Sequence, residues 1–169
     1  VHTISRSHNS GFISGTTQTG GLIGNVSSSI TINLSYNNGI ISGVDNVGGL
    51  IGYAYDSSVT IVESYNCEEV IGSYNIGGLI GGGWNSTFSI NQCFNSGLVK
   101  GISVIGGIVG NANNGNSVYL YFSHSSTQVL SESGTDFIGG ISGNLPTTSD
   151  IEQTYYSGSI TSNGIEVDG

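Results

Sequence analysis

Apolar side chains recur along this chain with a period of two, in short bursts. One set of positions holds Ile32, Ile61, Ile90, Leu120 and Ile151, and the positions two earlier hold Ile30, Val59, Phe88, Val118 and Ser149. Between them stand Thr31, Thr60, Ser89, Tyr119 and Asp150, which are mostly polar. Such alternation places one set on one face of an extended strand and the other set on the opposite face, a β pattern and not a helical one. A further position, β-branched every time, is Ile13, Ile41, Val70, Val99, Val129 and Ile160.

The bursts are copies of one unit. Gly-Gly-Leu-Ile-Gly stands at 20–24, 48–52 and 77–81, becomes Gly-Gly-Ile-Val-Gly at 106–110, and is degraded by Ser142 at 139–143, giving steps of 28, 29, 29 and 33 residues. Ser35-Tyr36-Asn37, Ser64-Tyr65-Asn66 and Cys93-Phe94-Asn95 each set an aromatic twelve residues before the next double glycine. His8 keeps that distance to Gly20, and His124 keeps it to Gly139 once three residues are inserted within 131–137. Each unit predicts three short strands: the double-glycine strand, the strand ending in the aromatic, and the strand centred on the β-branched position. Asn-, Gly- and Ser-rich turns separate them.

Equivalent residues in equivalent slots predict an all-β chain folded as a β-solenoid, a parallel β-helix of coils of about 29 residues. A β-sandwich also has regularly spaced strands, but it does not need the same side chain in the same slot repeatedly. The reading is one repeat domain over 1–169, with coils at 8–35, 36–64, 65–93, 94–123 and 124–154 and a partial coil at 155–169. Nothing in the pattern sets the handedness. Coils stacked at about 4.8 Å make a rod of roughly 25 Å. Neither terminus reads as a cap, so the expectation is an excerpt of a longer solenoid.

The expected core comprises Leu22, Leu50, Leu79, Ile108 and Ile141 in the double-glycine strand, with Ile32, Ile61, Ile90, Leu120 and Ile151. If the Leu slot points inward, the other face of its strand carries Ile23, Val47, Ile51, Ile76, Ile80, Ile105 and Val109. Two readings of that stripe stay open. It is either an exposed aliphatic contact surface or a strand face buried by another segment. Asn37, Asn66 and Asn95, each following its aromatic, are expected to form a turn ladder, hydrogen-bonding from coil to coil.

The glycines invite comparison with phosphate-binding loops. The lysine of a G-x-x-x-x-G-K-[ST] loop is missing from every copy, and β-branched neighbours do not supply the helix a dinucleotide fingerprint needs. Close approach of neighbouring strands explains the glycines better. No cofactor is expected.

Composition narrows the chemistry. Two cations, Arg6 and Lys100, stand against 11 carboxylates, for a formal charge of −9. That balance excludes nucleic acid, whose affinity rests on Lys and Arg displacing counterions. No apolar run is long enough to insert into a membrane. Serine recurs as a slot at Ser35, Ser64 and Ser123, which leaves no unique nucleophile, and Asp56, Glu63, Glu68, Glu69, Glu132, Asp136, Asp150 and Glu152 are scattered among slots. No catalytic residue emerges, and no metal site, since three histidines and two cysteines show no ligand spacing. Cys67 and Cys93 lie about one turn of the solenoid apart in different slots, and a disulfide between them and two separately packed thiols both fit.

The repeated GGLIG run, with its intervening aromatic-Asn elements, resembles the GLUG motif of repeat regions in large secreted and cell-surface proteins, including adhesins and IgA-peptidase-like proteins. The resemblance spans essentially the whole chain and implies an extracellular, β-rich stalk or adhesive region with no catalytic residues to transfer. The expected function is a non-enzymatic structural or adhesive segment of an extracellular fibre, stalk or surface adhesin. Its partners would be flanking coils, identical subunits end to end, or a surface glycan or protein. A glycan- or protein-binding module is the alternative, and a polysaccharide-cleaving β-helix the remote one.

Overall fold

A computed structural model describes residues 1–133 and 137–167. Within the 131–137 insertion, residues 134–136, and with them Asp136, lie outside the described residues. The chain is all-β, and its strands stack in parallel as a β-solenoid.

Successive coils contribute to five sheets. Sheet 1 stacks His2–Ser5, Ile30–Asn33, Ser58–Val62, Thr87–Asn91, Ser117–Tyr121 and Ser149–Glu152. Sheet 2 stacks the two-residue strands His8–Asn9, Tyr36–Asn37, Tyr65–Asn66, Phe94–Asn95, His124–Ser125 and Tyr155–Tyr156. Sheet 3 is built on Ile13–Ser14, Ile41–Ser42, Val70–Ile71, Val99–Gly101, Gln128–Ser131 and Ser159–Ser162. Sheets 4 and 5 lie on either side of the double glycine, for example Asp45–Gly48 and Ile51–Tyr55. Register follows the repeat: Ile61 pairs with Ile32 on one side and Ile90 on the other.

Five strands per coil replace the expected three, and two local features account for the difference. The strand ending in the aromatic is broken two residues earlier by a left-handed residue in every coil. These are Arg6, Leu34, Glu63, Gln92, Phe122 and Gln153, with φ between +46° and +53°. Their side chains are ordinary, so the break has no signature in residue type. A left-handed residue with a Cβ costs about 1–2 kcal/mol. The following residue offsets that by capping the corner: the hydroxyls of Ser35, Ser64 and Ser123 donate to the carbonyls of Asn33, Val62 and Tyr121 at 2.8 Å. The double-glycine strand, for its part, bends at its second glycine and the following Leu slot.

That second bend decides the fate of the aliphatic stripe. Ile51, Ile80 and Val109 join the larger core column with Leu50, Leu79, Ile108, Ile61 and Ile90. Val47, Ile76 and Ile105 join a second column with Ile41, Val70, Val99 and Val129. All six stripe residues of these middle coils are at most 1% exposed. Ile23, in the first coil, is partly buried against the larger column. The stripe is therefore no contact surface. Because the chain turns between the two halves of the alternation, each half meets its own core.

Between the columns, sheets 4 and 5 lie backbone against backbone. A Cβ on Gly81 would stand 2.6 Å from both the Gly52 carbonyl oxygen and the Val47 nitrogen, so only hydrogen fits there. The expected core slots are buried along the middle of the rod and open at its ends. Ile32, Ile61, Ile90, Leu120, Leu50, Leu79 and Ile108 are fully buried, whereas Leu22 and Ile141 are partly buried and Ile151 is 38% exposed. Full burial of such a side chain contributes roughly 1.5–3 kcal/mol.

At the last coil, sheet 3 gains one further strand. Ile165–Val167 pairs antiparallel with Ser159–Ser162 through a turn at Asn163 and Gly164, whose φ values are +49° and +76°. A two-residue turn with both φ positive matches the twist of a hairpin.

One slot in the second column breaks its own rule. Thr19 occupies the position of Val47, Ile76 and Ile105, is 5% exposed, and its Oγ1 has no hydrogen-bond partner. Thr19→Val keeps the shape and removes the orphaned hydroxyl. It is expected to stabilise the protein by about 1–2 kcal/mol. A denaturation midpoint no higher than that of the parent chain would show that the hydroxyl is satisfied in solution.

Candidate functional site

The ladders are where this repeat places its polar and aromatic chemistry. In the interior, Asn9 Nδ2 donates to Asn37 Oδ1 at 2.8 Å, Asn37 to Asn66 at 2.7 Å, and Asn66 to Asn95 at 2.8 Å. Each of these amide groups also donates to a carbonyl two residues on, those of Gly11, Gly39, Glu68 and Gly97. Asn37, Asn66 and Asn95 are fully buried. The ladder is the one expected from the sequence, extended by Asn9. Sealed inside the coil, it has no access to a ligand. It stops at Ser125, whose buried Oγ has no partner.

Outside the same strands stands a column that sequence reasoning used only as a register mark. His8, Tyr36, Tyr65, Phe94, His124 and Tyr155 stack face to face, with centroids 4.6–5.2 Å apart and ring planes within 9° of parallel. The four inner rings are half-buried. Aromatic pairs of this kind add about 0.5–1.5 kcal/mol each. Its geometry also limits what it can bind. A sugar stacks on a ring face, and here the inner faces are covered by neighbouring rings. The regular spacing of aromatics was the signal that could have revealed the column.

The two thiols part company. Both are free: Cys67 is half-buried just past the aromatic of its coil, whereas Cys93 is buried in the serine slot. The disulfide reading is corrected, because Cys93 faces inward as a corner cap, with Sγ 3.2 Å from the Asn91 carbonyl. Burial, aided by Glu63, pushes the Cys93 thiol up to about 11 from an ordinary 9.0, against the lowering effect of backbone contacts to Ser64 and Asn91. An unfolded chain sheds this proton near pH 9 while the folded one holds it until about pH 11. Stability is therefore complete below pH 9 and is lost as pH rises through 11. The loss is expected to be roughly 2–3 kcal/mol. Unfolding free energies of the parent chain and Cys93→Ser, compared between pH 8 and 11, isolate it; parallel pH profiles would refute it.

The carboxylates stay apart as the sequence placed them. Glu132 Oε1 meets Lys100 Nζ at 2.8 Å on sheet 3, Asp150 accepts from the Tyr121 hydroxyl at 2.9 Å, and Asp45 accepts from Asn75 Nδ2 at 2.9 Å. Among the described residues, no cluster of three or more His, Cys, Asp or Glu side chains could hold a metal ion.

One surface feature belongs to no ladder. Tyr55 and Trp84 are register partners at the end of sheet 5 and are 48% and 49% exposed. The next residues, Asp56 and Asn85, are joined by a 2.7 Å hydrogen bond from Asn85 Nδ2 to Asp56 Oδ1. Because an aromatic fills this slot in only two coils, repeat logic passes over the pair.

Fold and ladders define this chain as an all-β repeat protein, a β-solenoid. No family model, no curated protein and no solved structure matches it.

Proposed function

We propose that this chain is a non-enzymatic structural or adhesive segment of an extracellular fibre, stalk or surface adhesin. The observation that carries this reading is the closure of each middle coil onto the next by three kinds of column at once: apolar cores, a buried carboxamide ladder and a stacked aromatic ladder. Residues equivalent in every coil have been spent on stacking, which is the property a spacer needs, and each coil contacts chiefly its neighbours. The likeness of the Gly-Gly-Leu-Ile-Gly units to the GLUG motif supports a secreted or cell-surface setting, with further coils or identical subunits end to end as partners.

The test is a tandem concatemer of the chain viewed by electron microscopy, together with incubation of the purified chain with plant, bacterial and animal polysaccharides. Stiff rods that lengthen by about 4.8 Å per coil, with no sugar released, are the expected result. Flexible beads in place of rods, or release of reducing ends, would overturn the reading.

A further inference from the structure

We infer that the Tyr55–Trp84 patch is a contact site for a neutral saccharide. The inference rests on the adhesive form of the function proposed above, and its failure would leave the spacer form standing. Outside the stacked column, this is the one place among the described residues where two exposed aromatic side chains are register partners. The two residues stand on adjacent coils, whose strands lie about 4.8 Å apart.

Surrounding groups select the class of ligand. A pyranose has a C–H face, which the negative π-face of an aromatic ring attracts, and a rim of hydroxyls that need partners. The rim here is Asp56 and Asn85, with the exposed turn at Asn113 and Asn114 beside them on the next coil, where the Asn114 carbonyl accepts from the Asn85 backbone N–H at 3.0 Å. A carboxylate accepts and a carboxamide both accepts and donates, which matches sugar hydroxyls. No cation serves the patch. Lys100 is engaged with Glu132 on sheet 3, and Arg6 lies in the first coil. With a carboxylate inside the site and a chain charge of −9, uronic acids and sulfated sugars are repelled.

The backbone beneath the patch is held in place before any ligand arrives. The Trp84 carbonyl accepts from the Asp56 N–H at 3.0 Å and from Ser86 Oγ at 2.8 Å, so both turns are tied to each other and to the rod. Preorganisation of this kind reduces the ordering that binding would otherwise require. Two rings and a short polar rim support an affinity of about 1 mM for a single oligosaccharide. Many copies on one surface would raise the avidity.

Trp84 is the only tryptophan, so its emission reports on the site directly. Cello-, chito-, manno- and galacto-oligosaccharides are titrated to about ten times a 1 mM Kd. A saturable change in Trp84 emission with at least one of them is expected. Tyr55→Ala should weaken it at least about tenfold, while Tyr119→Ala, an exposed tyrosine on sheet 1, leaves it unchanged. Saturation-transfer NMR on Trp84→Ala should show the sugar signal lost, with Trp84→Tyr retaining part of it and both variants keeping the parent's thermal midpoint. No emission change with any of the four sugar classes overturns the site. So does a saturation-transfer signal that survives Trp84→Ala in full. An equal response to polygalacturonate or heparin fragments overturns the assignment to neutral sugars, and a response only to added proteins would make the patch a protein contact instead.

Discussion

Replacing Asn66 with aspartate is expected to destabilise the protein by about 3 kcal/mol or more at pH 7, a larger loss than any surface substitution should produce. The native carboxamide accepts from Asn37 at 2.7 Å and donates both to Asn95 Oδ1 at 2.8 Å and to the Glu68 carbonyl at 2.7 Å, all with no exposure to solvent. A carboxylate keeps the acceptor and turns the donor into a second oxygen facing two oxygens. Burial without a counter-charge raises the pKa of such a group. The penalty is therefore present above that raised pKa and eases as acid restores one O–H donor. Urea denaturation of the parent and Asn66→Asp at pH 7 and pH 4 measures both parts. The same change at Asn38, exposed one residue beyond the ladder, should alter stability by no more than about 0.5 kcal/mol. Equal stability of Asn66→Asp and the parent chain at pH 7 would remove the ladder from any account of why the coils stay in register.

The second large effect is expected at the glycine seam. Gly81→Ala places a methyl 2.6 Å from the Gly52 oxygen and the Val47 nitrogen and 2.7 Å from the Asn46 carbonyl carbon, all backbone atoms. Unlike a side-chain clash, this one cannot be relieved by a rotamer change, so sheets 4 and 5 must separate. Separation would open both core columns, because the seam runs between them. Loss of more than about 3 kcal/mol follows, or failure to fold. Gly11→Ala is the matched comparison, since its methyl would meet only Asn9 Oδ1 at 3.7 Å, an ordinary contact. Soluble expression and circular dichroism of the two variants side by side would decide the matter. A folded Gly81→Ala with near-parent stability would mean that the sheets can slide apart cheaply.

Whatever repeats was legible in the sequence. The Ile61 and Leu50 slots, the β-branched slot of Val70 and the Asn66 ladder were each written several times, so the coil and its inward positions followed from comparison of the chain with itself. What the sequence concealed lay at the corners. Leu34, Glu63, Gln92 and Phe122 share left-handed dihedrals but no chemical feature, so one expected strand became two. The bend after Gly48 had the same effect on the aliphatic stripe: period two identified both faces correctly as apolar, but it carries no information about whether the chain turns midway and provides a second core for the other face. The Tyr55–Trp84 patch was invisible for the opposite reason, since an aromatic that fills its slot in only two coils does not stand out against the repeat.

The Asn ladder also gives the rod a sense of direction. The amide groups of Asn9, Asn37 and Asn66 each donate to the carboxamide of the later coil, and Ser7 and Ser35 likewise send their backbone N–H to the hydroxyl of the coil after. Parallel sheet bonds largely cancel along the axis, whereas these do not. Three carboxamides donating in one sense leave a positive pole toward the C-terminal coils. The charged residues are distributed against it: no carboxylate precedes Asp45, while among the described residues Glu132, Asp150 and Glu152 follow residue 123. The two ends are thus electrically unlike. A coil laid against the first one would meet an Asn9 oxygen with room for one more donor, whereas at the other end the column has already given way to Ser125 and Tyr156.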